Sequence, residues 1–551
     1  IITRLQKPVI CEPDKYLTLS HDSIIQLDVI CNKNLEYKQN RSLWNILDKT
    51  KTVLGKRFLK HNLLNPLLNT GDLNERYDMV EQLIKKDYYL EIRNHLKHII
   101  DIERLHRKMA MGIMNPFHFI NLNMSYNHIL DIIDYLGNIK LDQIESLIPN
   151  QEIINKFKQC INDYHSKLDF ENLNEAYLTD LKKNIFKVGL YPEIDQLQEK
   201  INDNYLWLEK MTESLNNLTN NQGKSGFELK CNDKEGHYIS LSASKYKQAK
   251  DILSSQSIHS FKVNNHVIDM NLKLLEFKHN KSCTKIYSNE IKQISNTLYA
   301  LQDKMKKKCS EKFSELLSNL YQIYHTNLEK ITQFIGYLDF LTNIAFVSIN
   351  NGYTKPVIEE GNTSFVKATD LRHPIIEVIR NEIKYVPNDI MIGNEIFSGI
   401  LLYGVNAVGK SSLMKSIGLS IIMAQSGFYV PAKQFNYIPY HHLFTRISNN
   451  DNIFKGQSSF AVEMSELKTI LNRSNNKTLV LGDELCSGTE TISAISLVSA
   501  GVLSLSEKNT SFIFATHLHK LSNMEEIKDC KSVSHYHMET TYDEETKKII
   551  Y

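Results

Sequence analysis

The stretch Leu401-Leu-Tyr-Gly-Val-Asn-Ala-Val-Gly-Lys-Ser-Ser412 decides the fold, because it matches the pattern G-x-x-x-x-G-K-[ST] without a mismatch. An apolar strand, Ser398–Tyr403, is predicted before the loop and a helix, Leu413–Ala424, after it, which is the context that the pattern requires. Glycines let backbone N–H groups turn inward onto phosphate oxygens, and the start of a helix adds partial positive charge. The stretch therefore predicts a loop that binds a nucleoside triphosphate.

Each residue type in this loop has a chemical reason to be there. Gly404 and Gly409 leave room for the backbone to approach the phosphates. Lys410 is expected to reach the β- and γ-phosphates, and the Ser411 hydroxyl is expected to ligate Mg²⁺. The predicted cofactors are therefore ATP or ADP together with Mg²⁺.

Two further apolar strands end in polar residues. Thr478–Glu484 ends in two carboxylates, of which Asp483 is expected to hold Mg²⁺ through water and Glu484 to polarise the attacking water. Ser511–His517 ends in a histidine that is a candidate sensor of the γ-phosphate, although a lone histidine in this position is more often a polar cap. Three such strands predict an α/β sheet that carries its ligand at the carboxyl edge.

Five motifs after the loop are specific enough to compare with a known family. They are Gly427-Phe-Tyr-Val-Pro-Ala432, Leu443-Phe-Thr-Arg446, Gly456-Gln-Ser-Ser-Phe-Ala-Val-Glu-Met464, Asp483-Glu-Leu-Cys-Ser-Gly-Thr489 and Ala515-Thr-His517. Together they resemble the ATPase domain of MutS mismatch-repair proteins. Leu371-Arg-His-Pro374 and Tyr385–Asp389 are similar to the entry into that domain. Arg41–Asp48 and Gly55–Lys60 are similar to the start of the family's helical core.

The resemblance implies roles for individual residues. Asn406 corresponds to an asparagine that contacts the γ-phosphate, and Tyr385 to an aromatic ring that stacks on adenine. Ser458 corresponds to the signature serine that enters the nucleotide site of the partner subunit, so hydrolysis is expected to depend on dimerisation. Thr489 belongs to a loop that crosses the dimer interface, and His517 to the position that signals nucleotide state.

Three positions depart from the family's usual spelling. Val408 replaces the first glycine of a Gly-Gly pair, Ser412 in the phosphate loop replaces threonine, and Gly482 replaces an isoleucine before Asp483. None of these changes removes a group that positions phosphate, Mg²⁺ or water, so we expect hydrolysis to survive with Glu484 as the catalytic carboxylate. A glycine is expected to loosen the end of its strand.

The chain is predicted to have several domains. They are the first part of an all-α helical core and lever at 1–200, an inserted, β-rich clamp at 201–290, a lever helix returning to the core at 291–355, and an α/β ABC-type P-loop ATPase domain, incomplete at its C-terminus, at 356–551.

Sequence patterns support the middle of this division. Phe227–Cys231 and Gly236–Ser242 are strand-like runs on either side of a polar turn, and Cys283–Tyr287 is another. From Ile291 to about Phe334, apolar residues recur at helical spacing, which predicts a lever helix of roughly 65 Å.

DNA binding must come from local patches, because the net charge of +2 is nearly neutral. The resemblance implies that clamp lysines contact DNA phosphates, whereas a solvated charged surface is the competing interpretation. The candidate contacts are Lys245, Lys247, Lys278, Lys281 and Lys285. The predicted partners are double-stranded DNA, mismatched or branched, and a second subunit, in a homodimer or in a heterodimer with a MutS homologue.

Composition and cysteine usage exclude other classes. Hydrophobic residues make up 42% of the chain, yet no apolar run approaches a membrane span and no signal peptide opens it. The eight cysteines contain no C-x-x-C pair, which indicates neither a zinc site nor a disulfide framework. We expect an intracellular protein without a membrane partner, located in a nucleus, a mitochondrion or a viral replication site.

Three functions stay open. The first is a MutS-type ATPase that closes as a dimeric clamp on DNA and uses ATP to switch states in mismatch repair, with junction-binding recombination as its variant. The second is another ABC-type ATPase, which is disfavoured because Gly456-Gln-Ser-Ser-Phe460 stands in place of a Leu-Ser-Gly-Gly-Gln signature. The third is a member with an idle ATPase, against which the intact Lys410, Asp483 and Glu484 count.

The position of the chain within the family is a further expectation. It opens at Ile1 without Met and closes at Tyr551 in a predicted β-hairpin, so we expect the middle of a longer protein. The repair branch reads mismatches with a Phe-x-Glu motif, and the Phe313-Ser-Glu315 found here is predicted to lie in the lever helix. The loop spelling Gly-Val-Asn-Ala-Val-Gly-Lys-Ser-Ser resembles the MutS branch of giant viruses and octocoral mitochondria.

Overall fold

The structure is a computed structural model that describes residues 15–30, 42–139, 142–174, 176–219, 226–232, 235–255, 258–263, 266–379, 385–393, 397–405, 408–447, 459–486, 489–539, 541–543 and 548–550. Its helices are α1 (His21–Gln26), α2 (Leu43–Leu47), α3 (Val53–Leu64), α4 (Thr70–Ile84), α5 (Tyr88–Leu96), α6 (Ile102–Ala110), α7 (His118–Ile139), α8 (Asp142–Glu145), α9 (Gln151–Lys167), α10 (Pro192–Leu218), α11 (Ala243–Ser255), α12 (Asn289–Asn351), α13 (Ile376–Ile379), α14 (Lys410–Gln425), α15 (Ser459–Arg473), α16 (Thr491–Glu507) and α17 (Glu525–Lys528).

The strands are short and numerous. They are β1 (Thr18–Leu19), β2 (Glu228–Asn232), β3 (Gly236–Ser242), β4 (Ile258–Val263), β5 (His266–Asn271), β6 (Glu276–His279), β7 (Cys283–Tyr287), β8 (Val357–Ile358), β9 (Val366–Leu371), β10 (Asn388–Ile392), β11 (Gly399–Tyr403), β12 (Gln434–Tyr437), β13 (His442–Arg446), β14 (Thr478–Asp483), β15 (Ser511–Ala515), β16 (Val533–His537), β17 (Thr541–Asp543) and β18 (Lys548–Ile550).

The chain divides into two compact units. The first unit comprises Ile1–Asp101, Asn127–Pro149 and Lys330–Tyr551, and the second comprises Ile102–Tyr126 and Asn150–Glu329. The first unit contains a helical body, a six-stranded sheet, a four-stranded sheet and the antiparallel pair β17–β18. The second contains helices, a four-stranded sheet and the hairpin β4–β5. A helical core accompanied by several sheets was expected, whereas the domain boundaries at 200, 290 and 355 stay predictions.

The six-stranded sheet of the first unit is parallel throughout, with the order β1-β13-β14-β15-β11-β16. Every residue of β11 and β15 is buried. Continuous apolar runs of this kind are typical of parallel strands that are covered on both faces. The expectation that the three motif-bearing strands lie together is confirmed, because β14, β15 and β11 are neighbours in the sheet.

An edge strand of this sheet comes from the start of the chain. Thr18 and Leu19 pair in parallel with His442 and Leu443 of β13. The prediction had placed residues 1–200 in the helical body alone. A two-residue strand carries no period of alternating residues, so the sequence pattern gave no signal for it.

The long helix α12 is longer than predicted. It runs for 63 residues, about 95 Å at 1.5 Å per residue, instead of ending near Phe334. The helix continues through Gly336, which lies against Leu54 of α3. None of the described helices is both long enough and apolar enough to cross a membrane.

The β-rich part of the second unit consists of two antiparallel sheets. One has the order β2-β3-β7-β6 and the other is the hairpin β4–β5. The predicted strands at Phe227–Cys231, Gly236–Ser242 and Cys283–Tyr287 are confirmed as β2, β3 and β7. The strands β4, β5 and β6 and the helix α11 were not predicted, and they all lie within the range proposed for the clamp.

In the first unit, the C-terminal end of α14 is joined to the helical body by buried hydrogen bonds. The Tyr77 hydroxyl donates to the Ala424 carbonyl at 2.6 Å, and Arg76 Nη1 donates to the Ser426 carbonyl at 2.7 Å. Gly427 has a φ of +87°, and a Cβ there would lie 2.9 Å from Cγ of Arg76. Gly427, which opens the Gly427–Ala432 motif, is therefore required for two reasons: its φ is positive, and a side chain there would collide with Arg76.

Candidate nucleotide-binding site

The phosphate-loop residues that the structure describes lie between β11 and α14. Gly409 precedes the helix with a φ of +106°, a left-handed conformation that favours glycine. A Cβ at Gly404 would lie 3.0 Å from Cγ1 of Val408, so this glycine allows a close approach within the loop. Asn406 lies outside the described residues, and its assignment to the γ-phosphate stays a prediction.

Lys410 is a buried cation, with 6% of its surface exposed. Its Nζ donates to the carbonyl oxygens of Gly404 at 2.6 Å and Val405 at 3.1 Å, and it lies 3.3 Å from Nε2 of His517. No carboxylate of the described residues forms an ion pair with it. A buried ammonium group with these partners is suited to an incoming anion such as a polyphosphate.

Ser411 and Asp483 meet across the site. The Ser411 hydroxyl donates a hydrogen bond to Oδ2 of Asp483. Burial raises the pKa of Asp483 and the neighbouring Glu484 raises it further, while the Ser411 hydrogen bond, Lys410 and His517 oppose the shift. A hydroxyl and a carboxylate oxygen in contact are ligands that Mg²⁺ takes, so this pair fits the predicted metal.

Glu484 follows the strand in an unusual backbone conformation. Its φ of +49° is left-handed, which is uncommon for a residue with a side chain and occurs often at functional sites. Its N–H donates to the Ala515 carbonyl at 2.9 Å, and its Oε1 lies 3.1 Å from Nε2 of His517. The structure therefore places the predicted catalytic carboxylate beside the predicted sensor histidine.

A pocket of about 280 Å³ opens at this edge of the sheet. It is lined by Val405, Val408, Gly409, Lys410, Ser411, Ser412, Asp483 and Glu484. Most of the residues predicted from the loop and from the second strand thus share one cavity, with His517 in contact with two of them.

Tyr385 is not one of the described residues that line this pocket. Its ring lies 6.4 Å from that of His373, and its hydroxyl interacts with Ser416, one turn along α14 from Ser412. Burial raises the pKa of Tyr385 to about 12. The stacking of its ring on adenine stays a prediction.

A buried carboxylate, which the sequence analysis did not single out, accepts a hydrogen bond from the loop after Glu484. Glu463 of α15 is 4% exposed, and its Oε1 accepts a hydrogen bond from the Cys486 N–H at 2.7 Å. Cys486 has a φ of +61°, so this bond supports a strained turn. Thr489 follows in the same loop, whereas Ser458 lies outside the described residues. Their roles at a dimer interface stay predictions.

The expected loosening of the strand at Gly482 is not seen. Gly482 is in register with Arg446 on one side and with Phe514 on the other. A Cβ at this position would lie 2.8 Å from Cδ1 of Phe514 and 3.1 Å from Cδ1 of Leu485. The Phe514 ring occupies the space that a larger side chain would need, so the strand stays paired.

The candidate DNA contacts divide into two groups. Lys285 Nζ donates to Oε2 of Glu235, and Lys278 Nζ lies 3.6 Å from Oε1 of the same carboxylate. The hydrogen bond from Lys285 lowers the pKa of Glu235 to about 2, with a smaller contribution from Asn232. The remaining candidates are exposed or half-buried and form no ion pair with another described residue: Lys245, Lys247 and Lys281.

The fold and the site define a class of protein. A buried parallel strand, a glycine-rich loop and a buried helix, with carboxylates at the end of a neighbouring strand, are the features of a P-loop α/β protein. Residues 22–345 match MutS domain III, and residues 400–551 match MutS domain V. The chain belongs to the MutS family.

Individual relatives agree with this assignment. The chain is 36% identical to a mutS homolog of Acanthamoeba polyphaga mimivirus that is named for DNA mismatch repair, over 100% of this chain and 53% of that protein. It is 28% identical to the DNA mismatch repair protein MutS of Clostridium novyi, over 95% of this chain and 55% of the relative. It is also 28% identical to a mitochondrial DNA mismatch repair protein mutS homolog of Sarcophyton glaucum, over 97% of this chain and 52% of that protein.

These comparisons bear on the branch of the family and on the alternative functions. The chain spans roughly half the length of the curated relatives it matches. Viral and mitochondrial relatives agree with the resemblance of the phosphate loop. A bacterial MutS nevertheless matches as well as the mitochondrial homolog, so the branch within the family stays a prediction. Family membership removes the alternative of an unrelated ABC-type ATPase.

Proposed function

We propose that the chain binds Mg·ATP at the phosphate loop and hydrolyses it. One observation carries this proposal: Lys410, Ser411, Asp483, Glu484 and His517, which come from three separate segments, converge at the carboxyl edge of the parallel sheet. Ligands of open α/β sheets bind at this edge. The same convergence speaks against an idle ATPase.

Each residue has a task in this proposal. Lys410 exchanges its carbonyl partners for the β- and γ-phosphate oxygens, and the described loop backbone holds the phosphates. Ser411 and Asp483 hold Mg²⁺, which supplies positive charge against the phosphates. Glu484 accepts a proton from, or orients, the attacking water. Nε2 of His517 lies close to both Lys410 Nζ and Glu484 Oε1, and this position lets it respond to the state of the γ-phosphate by exchanging one partner for the other.

We also propose that the protein acts on DNA in mismatch repair as a dimeric clamp whose state is switched by ATP. The family assignment and the names of the relatives support this proposal. The partners are double-stranded DNA and a second MutS-type subunit. The partner's Ser458 position completes the nucleotide site in this scheme.

A turnover measurement tests the catalytic assignment. Glu484→Gln keeps the shape of the side chain but removes the carboxylate, so we expect ATP turnover to fall by a factor of about 10² to 10⁴, the usual contribution of a general base. Binding of fluorescent ATP with Mg²⁺ should persist, because Lys410 and Ser411 are unchanged. Steady-state phosphate release and equilibrium binding measure the two quantities.

Glu507→Gln is the matched control, since Glu507 is an exposed carboxylate at the far end of α16. It should hydrolyse ATP like the parent. Equal turnover in Glu484→Gln and the parent would show that this carboxylate is not the catalytic group.

A further inference from the structure

Two helices of the helical body bring three metal-binding side chains together, away from the nucleotide site. His95 lies in the last turn of α5, and His128 and Asp131 are three residues apart on α7. His95 Nδ1 lies 3.2 Å from His128 Nδ1, and Asp131 Oδ2 lies 3.6 and 3.7 Å from these two nitrogens. All three groups belong to the first compact unit.

The spacing of these atoms matches three corners of a tetrahedron around one ion. Zn²⁺ binds imidazole nitrogen and carboxylate oxygen at about 2.0–2.2 Å, which places neighbouring ligand atoms of a regular tetrahedron roughly 3.3–3.6 Å apart. The three observed distances of 3.2, 3.6 and 3.7 Å lie close to that range.

Hydrogen bonding alone explains the cluster less well. The two distances to the carboxylate, 3.6 and 3.7 Å, are too long for hydrogen bonds from His95 or His128. Direct contacts would therefore satisfy the two rings with each other and leave Asp131 as a nearby charge without a hydrogen bond from either ring. One cation at the centre would bring the carboxylate and both ring nitrogens into use.

The surroundings orient the rings and leave one side open. Oε1 of Glu91 lies 3.7 Å from Nε2 of His95, on the opposite edge of the ring from the cluster. The His98 ring stacks on that of His128, with centroids 4.6 Å apart and planes at 15°. The side chains of His95 and His128 are 24% and 29% exposed, so water can occupy a fourth position.

We propose that His95, His128 and Asp131 form a Zn²⁺ site with an exchangeable fourth ligand. The donor set of two imidazoles and one carboxylate is typical of zinc, whereas Mg²⁺ takes oxygen ligands in octahedral geometry and does not suit it. The bound ion would link α5 to α7 and stabilise the helical body. The site does not depend on nucleotide binding or on the proposed ATPase.

Zinc titration of the intact, chelator-treated chain tests this proposal. We expect calorimetry without nucleotide to show one equivalent of Zn²⁺ that is lost or weakened at least about 10-fold in His95→Asn, His128→Asn and Asp131→Asn. Asp131 is 55% exposed, so its substitution should leave the fold intact. Saturating Zn²⁺ should raise the thermal midpoint of the parent and not that of the variants.

Two controls assign the bound ion to this cluster. His61→Asn removes an exposed histidine of α3 and should bind Zn²⁺ like the parent. Glu484→Gln removes a ligand that Zn²⁺ could find at the nucleotide site, and the equivalent assigned to the cluster must remain. If the parent binds Zn²⁺ no more tightly than the His128→Asn variant, the proposal is wrong and the cluster is a hydrogen-bonded histidine pair.

Discussion

At the scale of single residues, Gly482 and Phe514 are matched to each other. The family resemblance led us to expect a loosened strand where isoleucine is usual, but the neighbouring ring fills the space beside the glycine. Phe514 is 1% exposed, and the adjoining cavity of about 10 Å³ is too small to receive a displaced ring. The small residue Gly482 in β14 is therefore compensated by the large ring of Phe514 in the adjacent strand β15.

This match predicts that Gly482→Ala destabilises the protein. The added methyl group meets Phe514, and overpacking of a filled core costs about 1–3 kcal/mol of the free energy of unfolding. Urea denaturation followed through Trp44 in a Trp207→Phe background reports on the first unit, because the chain has two tryptophans. Adding Phe514→Leu to the same chain should recover part of the loss.

Gly501→Ala is the control for this substitution. Gly501 lies in α16, and a Cβ there meets nothing within 4 Å. An alanine in a helix with free space should be neutral or stabilising by up to about 1 kcal/mol. Equal effects of the two substitutions would rule out steric conflict with Phe514.

Sequence reasoning singled out residues that the structure brings together when their motif is local. Lys410 and Ser411 follow the loop glycines directly, and Asp483 ends an apolar strand, so the pattern along the chain was enough to select them. The pair His95 and His128 could not be found in this way, because 33 residues separate them and only the packing of α5 against α7 brings them together. The supporting contacts of Glu463 depend on tertiary structure for the same reason.

At the scale of elements, the start of α3 is fixed by a buried carboxylate from α12. Asp339 accepts hydrogen bonds from the N–H groups of Lys51 and Thr52 and from the Thr52 hydroxyl, at 2.7–3.0 Å. The same hydroxyl accepts from the Gly55 N–H at 2.9 Å. Burial raises the pKa of Asp339, and these hydrogen bonds oppose the shift. The capping network thus extends across two helices.

This network predicts that Gly55→Ala destabilises the first unit. A Cβ at Gly55 would lie 2.7 Å from Cβ of Asp339 and closer still to its carboxylate, which would have to leave its partners. We expect a loss of about 1–3 kcal/mol, the cost of leaving a buried polar group unsatisfied, measured through Trp44 as above.

Gly137→Ala on α7 provides the comparison, because Gly137 is exposed and a Cβ there meets nothing within 4 Å. It should not lower stability. A Gly55→Ala protein as stable as the parent would show that Asp339 tolerates displacement and does not hold α3 in place.

The length of α12 was underestimated because tertiary packing, which the sequence pattern does not show, sustains its last part. The apolar stripe was followed from Ile291 only to about Phe334, whereas the helix continues to Asn351. Beyond Gly336, the side chains of Leu338, Leu341 and Ile344 are fully buried, so packing sustains the helix despite the intrinsic cost of a glycine. The strand β4 was missed because only Phe261 and Val263 form its buried apolar face, while the apolar Ile258 is exposed and breaks the alternation.

At the scale of the whole molecule, the distribution of charge predicts which lysines contribute to DNA binding. Lys281 and Lys247 are exposed and form no ion pair with a described residue, whereas Lys285 is paired with Glu235. Lys281→Ala and Lys247→Ala should therefore weaken binding of the full protein to DNA, and the salt slope should fall by about 0.9 for each phosphate that the variant no longer neutralises. Lys285→Ala should change the slope less.

Fluorescence anisotropy over a salt series, on perfect duplex, single-mispair duplex and four-way junction, measures these effects. Phosphate contacts are blind to base identity, so the lysine variants should weaken all three complexes by the same factor. Lys86→Ala is the control, because Lys86 is an exposed lysine outside the proposed clamp and forms no ion pair with another described residue. If this control reduces the salt slope as much as Lys281→Ala does, the effect comes from the total charge of the protein and not from contacts of the clamp lysines. A mispair preference that ATP erodes would support mismatch repair, and a junction preference would contradict it.

The helix α14 has a thermodynamic consequence for the first unit. Its first residue, Lys410, faces the phosphate loop, while Ala424 and Ser426 at its other end bond to Tyr77 and Arg76, roughly 24 Å away. Nearly every side chain between these ends is buried, so a shift of the helix on nucleotide binding would carry its far end with it. Occupancy of the loop and the arrangement of the helical body would then be linked equilibria. By reciprocity, any ligand that alters the body changes the affinity for nucleotide by the same factor that nucleotide changes the affinity for that ligand.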